Sequence, residues 1–182
     1  MLMTMSDAEL AKAAGAGDRD AFASLLSLHY DRIFALCFRL MGNKADAEDL
    51  TQDICVSLPA KLKGWEGRAK FTTWLYRVVV NASHDRRRRA ASHSRAAEGW
   101  GDYELARQAE TQEAEEQITW LQSAMQELKP ELRDTLALTI EDDMTQAEAA
   151  EVLGVSEGTI AWRMSEVKKH LRRLAESERG GE

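Results

Sequence analysis

Helix-breaking residues are scarce in this chain, and their scarcity limits the possible fold more than any other feature of the sequence. Only 2 Pro and 11 Gly occur among 182 residues, while Ala, Glu, Leu and Arg, which favour helices, are abundant. Apolar residues recur at helical intervals, for example at Leu121, Met125 and Leu128. The sequence therefore predicts an all-α fold, and a hydrophobic share of 44% is enough to form a core.

The composition changes near the middle of the chain, which predicts two small helical domains joined by a flexible linker. Ala, Ser, Gly and charged residues dominate from residue 90 onward, and we place the linker at residues 93–115. Residues 1–92 and 116–182 carry helical patterns on either side of it. Within the first domain, the ring of Pro59 should kink or end the helix that begins near Lys44.

Several classes of protein are excluded or disfavoured by the sequence. The longest apolar run, residues 33–38, is too short to span a membrane, and the N-terminus lacks the pattern of a secretion signal. We therefore expect a cytoplasmic protein without membrane insertion. Cys37 and Cys55 lie in apolar helical patterns, and no His has a partner at metal-ligand spacing. Since no catalytic motif is recognisable, we expect no metal, no cofactor and no enzymatic activity.

The last third of the chain has the pattern of a helix-turn-helix. Thr145 and Glu148 have the spacing of a capping box at the start of a short helix. Gly154 permits a tight turn, and Ser156 can cap a longer helix with an apolar stripe and a basic outer face. This pattern is typical of DNA-binding domains, although a helical hairpin without that function shows much of it as well.

Charge is distributed unevenly, although the net charge of −7 alone argues against binding to nucleic acid. Basic residues concentrate in a run of four Arg at residues 86–89, and such local patches attract phosphates whatever the net charge. Asp46, Asp49 and Asp53 occur at i, i+3 and i+7, so they share one helical face with Gln52 beside them. Such a face is either a solvated surface or a docking surface for a basic partner.

Three groups of motifs resemble a known family. Residues 46–53 (DAEDLTQD) resemble the core of region 2 of bacterial sigma factors. Residues 71–77 (FTTWLYR), followed by Asn81 and Asp85, resemble the promoter-reading part of the same region. Residues 128–133 (LKPELR) and 158–160 (GTI), with Arg163, resemble region 4. The chain thus resembles an extracytoplasmic-function (ECF) sigma factor, the smallest class, which consists of region 2, a linker and region 4.

The resemblance implies partners, and it implies roles for particular residues. Residues 1–92 would be region 2, which binds core RNA polymerase, melts the promoter and reads its downstream element, and residues 116–182 would be region 4, which reads the upstream element. The clamp coiled coil of the polymerase would be bound by Asp46, Asp49, Gln52 and Asp53. Promoter DNA would be bound in region 2 by Arg68, Lys70, Arg77, Asn81, Arg86, Arg87 and Arg88. In region 4 it would be bound by Ser156, Thr159, Trp162, Arg163 and Lys168.

The predicted recognition helix departs from the family pattern. Ala161 and Glu166 stand where the family usually has basic residues, and Trp162 stands where a small polar residue is usual. We therefore expect an unusual preference for the upstream element. The resemblance also implies an anti-sigma factor that holds the protein inactive. The alternative is a sigma-factor mimic that sequesters an anti-sigma factor without binding DNA, which the acidic net charge favours and the Arg run disfavours.

Overall fold

The chain folds into helices throughout the residues that the structure describes, as the sequence predicts. The computed structural model describes residues 5–96, 112–140 and 144–179, and contains no strand within those ranges. The N-terminal half forms α1 (Asp7–Gly15), α2 (Arg19–Met41), α3 (Lys44–Leu62) and α4 (Phe71–Ala96). The C-terminal half forms α5 (Gln112–Glu127), α6 (Pro130–Thr139), α7 (Gln146–Leu153) and α8 (Glu157–Arg179).

The helix ends follow local signals in the sequence. Gly42 ends α2 in the left-handed conformation, with φ of 81°, and Gly154 ends α7 in the same way, with φ of 66°. The predicted capping box is present, because the Thr145 hydroxyl accepts from the Glu148 amide and the Glu148 carboxylate accepts from the Thr145 amide. The helix-turn-helix of α7 and α8 is therefore positioned by short-range interactions.

The sequence predicts that Pro59 kinks or ends its helix, and the prediction that the helix ends there is wrong. Helix α3 continues to Leu62, with Pro59 inside it. The Pro ring is exposed, while Leu58 and Leu62 on either side of it are buried in the core. Their burial supports one further turn of helix, although Pro59 has no amide with which to bond the carbonyl of Cys55.

Both ends of the segment predicted as the linker are helical. Helix α4 continues to Ala96 and α5 begins at Gln112, so both helices extend into residues 93–115. The rest of that segment, residues 97–111, lies outside the described residues. The basic run at residues 86–89 therefore lies within α4 rather than at its end.

Helix α2 is the centre of the packing. It contacts α1, α3 and α4 of its own half and α5 and α6 of the other half. Buried residues of both halves, from Leu10 to Val167, form one continuous cluster. By length and composition α2 could also cross a membrane, which the sequence argument from the longest apolar run overlooked. Its contacts with five neighbouring helices are those of a core helix.

Candidate functional site

The three carboxylates predicted to share a face of α3 converge on one guanidinium from α4. Arg86 Nη2 lies 3.2 Å from Asp46 Oδ1 and 3.2 Å from Asp49 Oδ2. Arg86 Nη1 lies 3.6 Å from Asp53 Oδ2. The shared face is therefore present, and it includes a residue that the sequence assigned to DNA contact.

The same network leaves most of this acidic face open to solvent. The Asp49 and Asp53 side chains are 67% and 73% exposed, and Gln52 between them is exposed as well. A hydrogen bond from the Asn43 amide lowers the pKa of Asp46, and the neighbouring guanidinium lowers it further. One guanidinium does not neutralise three carboxylates, so the face keeps a negative charge that attracts a basic partner.

The run of four Arg is divided between different surfaces, because consecutive helical residues point about 100° apart. Arg86 faces α3, whereas Arg87 is partly buried and lies 4.0 Å from Asp134 of α6. Arg88 pairs with Asp85 on its own helix, and Arg89 is exposed. The sequence interpretation treated the four Arg residues as one basic patch. In the structure their side chains face different surfaces, so they do not form one continuous phosphate-binding surface.

Two other predicted promoter contacts face the C-terminal half of the chain. Lys70 Nζ lies 3.0 Å from Glu148 Oε1. The Arg77 side chain donates to the carbonyl oxygens of Glu151, at 2.6 Å, and Val152, at 3.4 Å. Asn81, one turn further along α4, is exposed.

A cavity of about 520 Å³ lies between α1 and the loop that joins α3 to α4. Arg68 lines it, with a side chain that is otherwise exposed and paired with Glu66 at 2.5 Å. The cavity also brings together two kinds of residue that the sequence reasoning did not assign, the aromatic rings of Trp65 and Phe71 and the ammonium of Lys12. Glu9 and Glu66 also line the space, but the basic side chains outnumber them, and an aromatic ring among basic groups suits an unstacked base and its phosphate.

The position of Trp65 in a short loop rich in Gly and charge is the signal that could have identified it. The Trp65 and Phe71 rings meet edge to face, with centroids 6.0 Å apart, so the aromatic wall of the cavity is held in place. Lys12 carries no comparable signal, since its helix α1 reaches the loop only through tertiary packing.

The recognition helix α8 exposes a mixed surface. The Ser156 hydroxyl caps the helix by accepting from the Thr159 amide at 3.1 Å, and it also contacts the Thr159 hydroxyl at 2.9 Å. Trp162 is 60% exposed, and Lys168 is exposed, while Arg163 is partly buried. The outer face thus offers an indole and cations, with Ser156 and Thr159 at its N-terminal end.

Glu166 is less exposed to a DNA partner than the sequence indicates. Its carboxylate accepts a hydrogen bond from Lys169 Nζ at 2.8 Å. This pairing offsets the negative charge on the predicted recognition helix, so Glu166 does not stand alone as a repulsive group.

Within the described ranges no group of three potential ligands could hold a metal ion. Cys37 and Cys55 are free thiols. Burial raises the pKa of the Cys37 thiol to about 11 and, less strongly, raises that of Cys55. Both sulfur atoms are therefore protonated at neutral pH, as expected for structural thiols.

Two family models that together match most of the chain identify this helical fold, with a helix-turn-helix in its second half, as that of a bacterial transcription initiation factor. The family description "Sigma-70 region 2" matches residues 25–93, and "Sigma-70, region 4" matches residues 118–171. The chain is 33% identical over 171 residues to the ECF RNA polymerase sigma factor SigM of Mycobacterium tuberculosis, an alignment that covers 93% of this chain and 84% of that protein.

A second relative gives the same result. The ECF RNA polymerase sigma factor SigW of Bacillus subtilis is 28% identical over 168 residues, which is 86% of this chain and 90% of that protein. The chain belongs to the ECF sigma factors of RNA polymerase. It is therefore a sigma factor that binds core RNA polymerase and promoter DNA and directs transcription initiation.

Two solved structures share the arrangement of helices. The structure of CnrH in complex with the cytosolic domain of CnrY has a TM-score of 0.70 and 26% identity, and covers 94% of this chain and 97% of that chain. The sigma factor RpoE in complex with the anti-sigma factor NepR from Bartonella quintana has a TM-score of 0.72 and covers 85% and 96%, respectively. At 22% identity, the second likeness concerns the fold alone.

Proposed function

We propose that the acidic face of α3 is the surface that binds core RNA polymerase at its clamp coiled coil. The observation that carries this proposal is the exposure of Asp49, Gln52 and Asp53 on one side of a helix whose other side is buried. Charged groups that remain solvated in the free protein raise the rate and specificity of docking on an oppositely charged surface. Asp46 belongs to the same face, with its orientation held by Asn43 and Arg86.

We further propose that the cavity beside α1 captures an unstacked base of the melted promoter strand. A base that leaves the stack needs an aromatic surface for its ring and cations for its phosphates. Trp65 supplies the ring, with the buried Phe71 packed against it, and the cations Arg68, Lys70 and Lys12 outnumber the carboxylates of Glu9 and Glu66 in the lining. Asn81 is exposed on α4 and can pair with a base edge.

The upstream element is the proposed ligand of α8. Lys168 and Arg163 suit phosphate contacts, and Ser156 and Thr159 suit contacts at the N-terminal end of the helix. Trp162 offers a large apolar surface that suits the methyl group of thymine. With Ala161 contributing no hydrogen bond, the preference of this helix should depend on thymine more than on guanine.

The proposal includes an anti-sigma factor, a cytoplasmic location and the absence of catalysis. A partner that covers the acidic face or the promoter surfaces would hold the protein inactive. The support is the likeness to CnrH, whose solved structure is a complex with the cytosolic domain of CnrY. Domain boundaries at residues 1–92, 93–115 and 116–182 remain our proposal for region 2, linker and region 4.

The test is binding of the purified protein to core RNA polymerase, with Asp49→Arg as the perturbation and Asp31→Arg as the matched control. Asp31 is exposed on α2 and lies outside the acidic face, so both variants change the net charge equally. Losing one partner of a charge pair that becomes buried costs about 2–5 kcal/mol, so Asp49→Arg should weaken binding at least thirtyfold. The control should bind like the wild type.

Equal binding by the two variants would refute the assignment of the acidic face.

A further inference from the structure

A histidine occupies a core position of α2 that none of the proposed binding surfaces uses. His29 is 4% exposed, and the residues one helical turn before and after it, Leu25 and Ile33, are buried as well. An apolar side chain at this position would complete the hydrophobic stripe without burying a polar group. Because a buried imidazole is costly unless it is hydrogen-bonded, its partners indicate what it contributes.

The hydrogen bond of His29 joins α2 to the first residue of α1. His29 Nε2 lies 2.9 Å from Asp7 Oδ2. An ionised carboxylate only accepts, so Nε2 carries the proton and donates. His29 Nδ1 is buried without a hydrogen-bond partner among the described residues. The bond to Asp7 is therefore the polar contact that determines which way this ring points.

The ring of His29 also supports the aromatic wall of the cavity beside α1. The imidazole and the Phe71 ring meet at an interplanar angle of 62°, with centroids 5.2 Å apart. Phe71 in turn contacts Trp65, and both residues line the cavity. Contacts therefore run without a break from Asp7 in α1, through His29 and Phe71, to the loop that joins α3 to α4.

Helix α1 depends on such a contact because its apolar packing is small. It has nine residues, and its buried side chains are those of Leu10 and two Ala. Small apolar groups make few contacts and no directional ones, so they resist sliding and rotation of the helix only weakly. The Asp7–His29 hydrogen bond fixes the N-terminal end of the helix that brings Lys12 to the cavity.

We propose that His29 is a positioning residue for the capture of an unstacked base. It holds α1 and the aromatic wall in register, so that Lys12 and Trp65 face the same space before DNA binds. The inference rests on the proposed base-capture cavity. A site whose parts are already aligned loses less conformational freedom on binding, so it binds more tightly. His29 does not line the cavity and acts through its neighbours.

The test removes the hydrogen bond from either side. Asp7→Ala deletes the acceptor at a side chain that is 39% exposed, so it leaves every core residue unchanged. His29→Phe deletes the donor but keeps an aromatic ring against Phe71. Asp7→Asn is the conservative variant, because its amide oxygen still accepts from Nε2. The matched control is Asp31→Ala, which makes the same charge change as Asp7→Ala at an exposed position of α2.

The probes are short single strands of thymidine with one central fluorescent base, either 2-aminopurine or pyrrolocytosine. Quenching of that base reports its stacking on Trp65, and the anisotropy of a fluorescein at the end of the strand reports overall binding. Each full-length protein is titrated at low salt, at a temperature where circular dichroism shows every variant to be folded. The two signals separate base capture from attraction to the phosphates.

We expect Asp7→Ala and His29→Phe to reduce the quenching at saturation about fivefold, the factor by which a typical hydrogen bond favours one arrangement. Their overall affinity should change less than about twofold, because the exposed cations still attract phosphates. Asp7→Asn should restore most of the quenching, and Asp31→Ala should match the wild type. The double variant should lose no more than either single variant, since both remove the same bond.

Two results refute the role of His29. The hydrogen bond does not position the cavity if Asp7→Ala and His29→Phe quench like the wild type, or if Asp7→Asn quenches no better than Asp7→Ala. Asp7→Ala decides alone if His29→Phe does not fold. Failure of the proposed function gives a different pattern: the wild type binds the strands without quenching either base, which refutes the base-capture cavity and the inference with it.

Discussion

Replacing Arg86 with Gln should destabilise the N-terminal domain by a predictable and salt-dependent amount. The guanidinium is the cation that α4 contributes to the Asp46, Asp49 and Asp53 carboxylates, at 3.2–3.6 Å. Its removal leaves three acidic groups that repel one another along one face of α3. The shorter amide side chain of Gln keeps the polarity but does not supply the charge.

The size of the effect follows from exposure. Pairs as solvated as these stabilise by about 0.2–1 kcal/mol each. Three pairs that share one cation are not additive, so we expect a loss of about 1–2 kcal/mol. For a protein of this size, that loss lowers Tm by about 2–8 °C.

The assay is thermal unfolding by circular dichroism of the wild type, Arg86→Gln and the control Arg88→Gln. Arg88 is 77% exposed and pairs with one carboxylate on its own helix, so its replacement should lower Tm by about 1–2 °C at most. At about 1 M NaCl, where the Debye length is about 3 Å, most of the Arg86 effect should disappear.

The stability that this network contributes decreases as the pH becomes acidic. The pKa of Asp46 is lowered from its ordinary value of 3.8, so the stability it contributes is full above that pH and is lost as pH falls through the lower folded value. The wild type and Arg86→Gln should therefore converge in acid. If Arg86→Gln and Arg88→Gln lower Tm by the same amount, or if their difference in Tm persists in high salt, the network does not act electrostatically.

Two further predictions concern positions away from the proposed binding surfaces. Gly15→Ala places a Cβ 2.7 Å from the backbone carbonyl oxygen of Leu62, which should cost about 1–3 kcal/mol in chemical denaturation, whereas Gly64→Ala meets nothing closer than 3.7 Å and should cost less than half as much. The buried Cys37 thiol has its pKa raised from 9.0 to about 11, so its stabilising contribution is full below pH 9 and is lost as pH rises through 11. Cys37→Ala should remove that part of the alkaline loss of stability, and an unchanged pH profile would contradict it.

Much of the candidate site could be predicted because it depends on local sequence. The carboxylates at i, i+3 and i+7 must share a face wherever α3 forms, and they do so. The Thr145 capping box and the left-handed Gly154 also follow from residues a few positions apart, and they fix the helix-turn-helix. Family motifs then assigned a function that periodicity alone leaves open between a DNA-binding domain and a helical hairpin.

The sequence could not show what each basic side chain faces. Arg86–Arg89 reads as one unit along the chain, but the helical twist sends Arg86 to α3 and Arg87 to α6. The Trp65 cavity likewise needs α1 beside a loop more than fifty residues later in the chain. Such placements depend on contacts between distant segments, for which a single sequence carries no periodic signal.

By itself, the sequence determined that the fold is helical, how the helix-turn-helix is capped, and which carboxylates share a face, because these features depend on interactions within one or two turns. Only the tertiary structure decided that α3 continues past Pro59, since the burial of Leu58 and Leu62 outweighs a missing backbone hydrogen bond. It also decided that region 4 packs on α4 and engages Lys70 and Arg77. That choice depends on shape and charge matching between two surfaces, which exist only after both halves have folded.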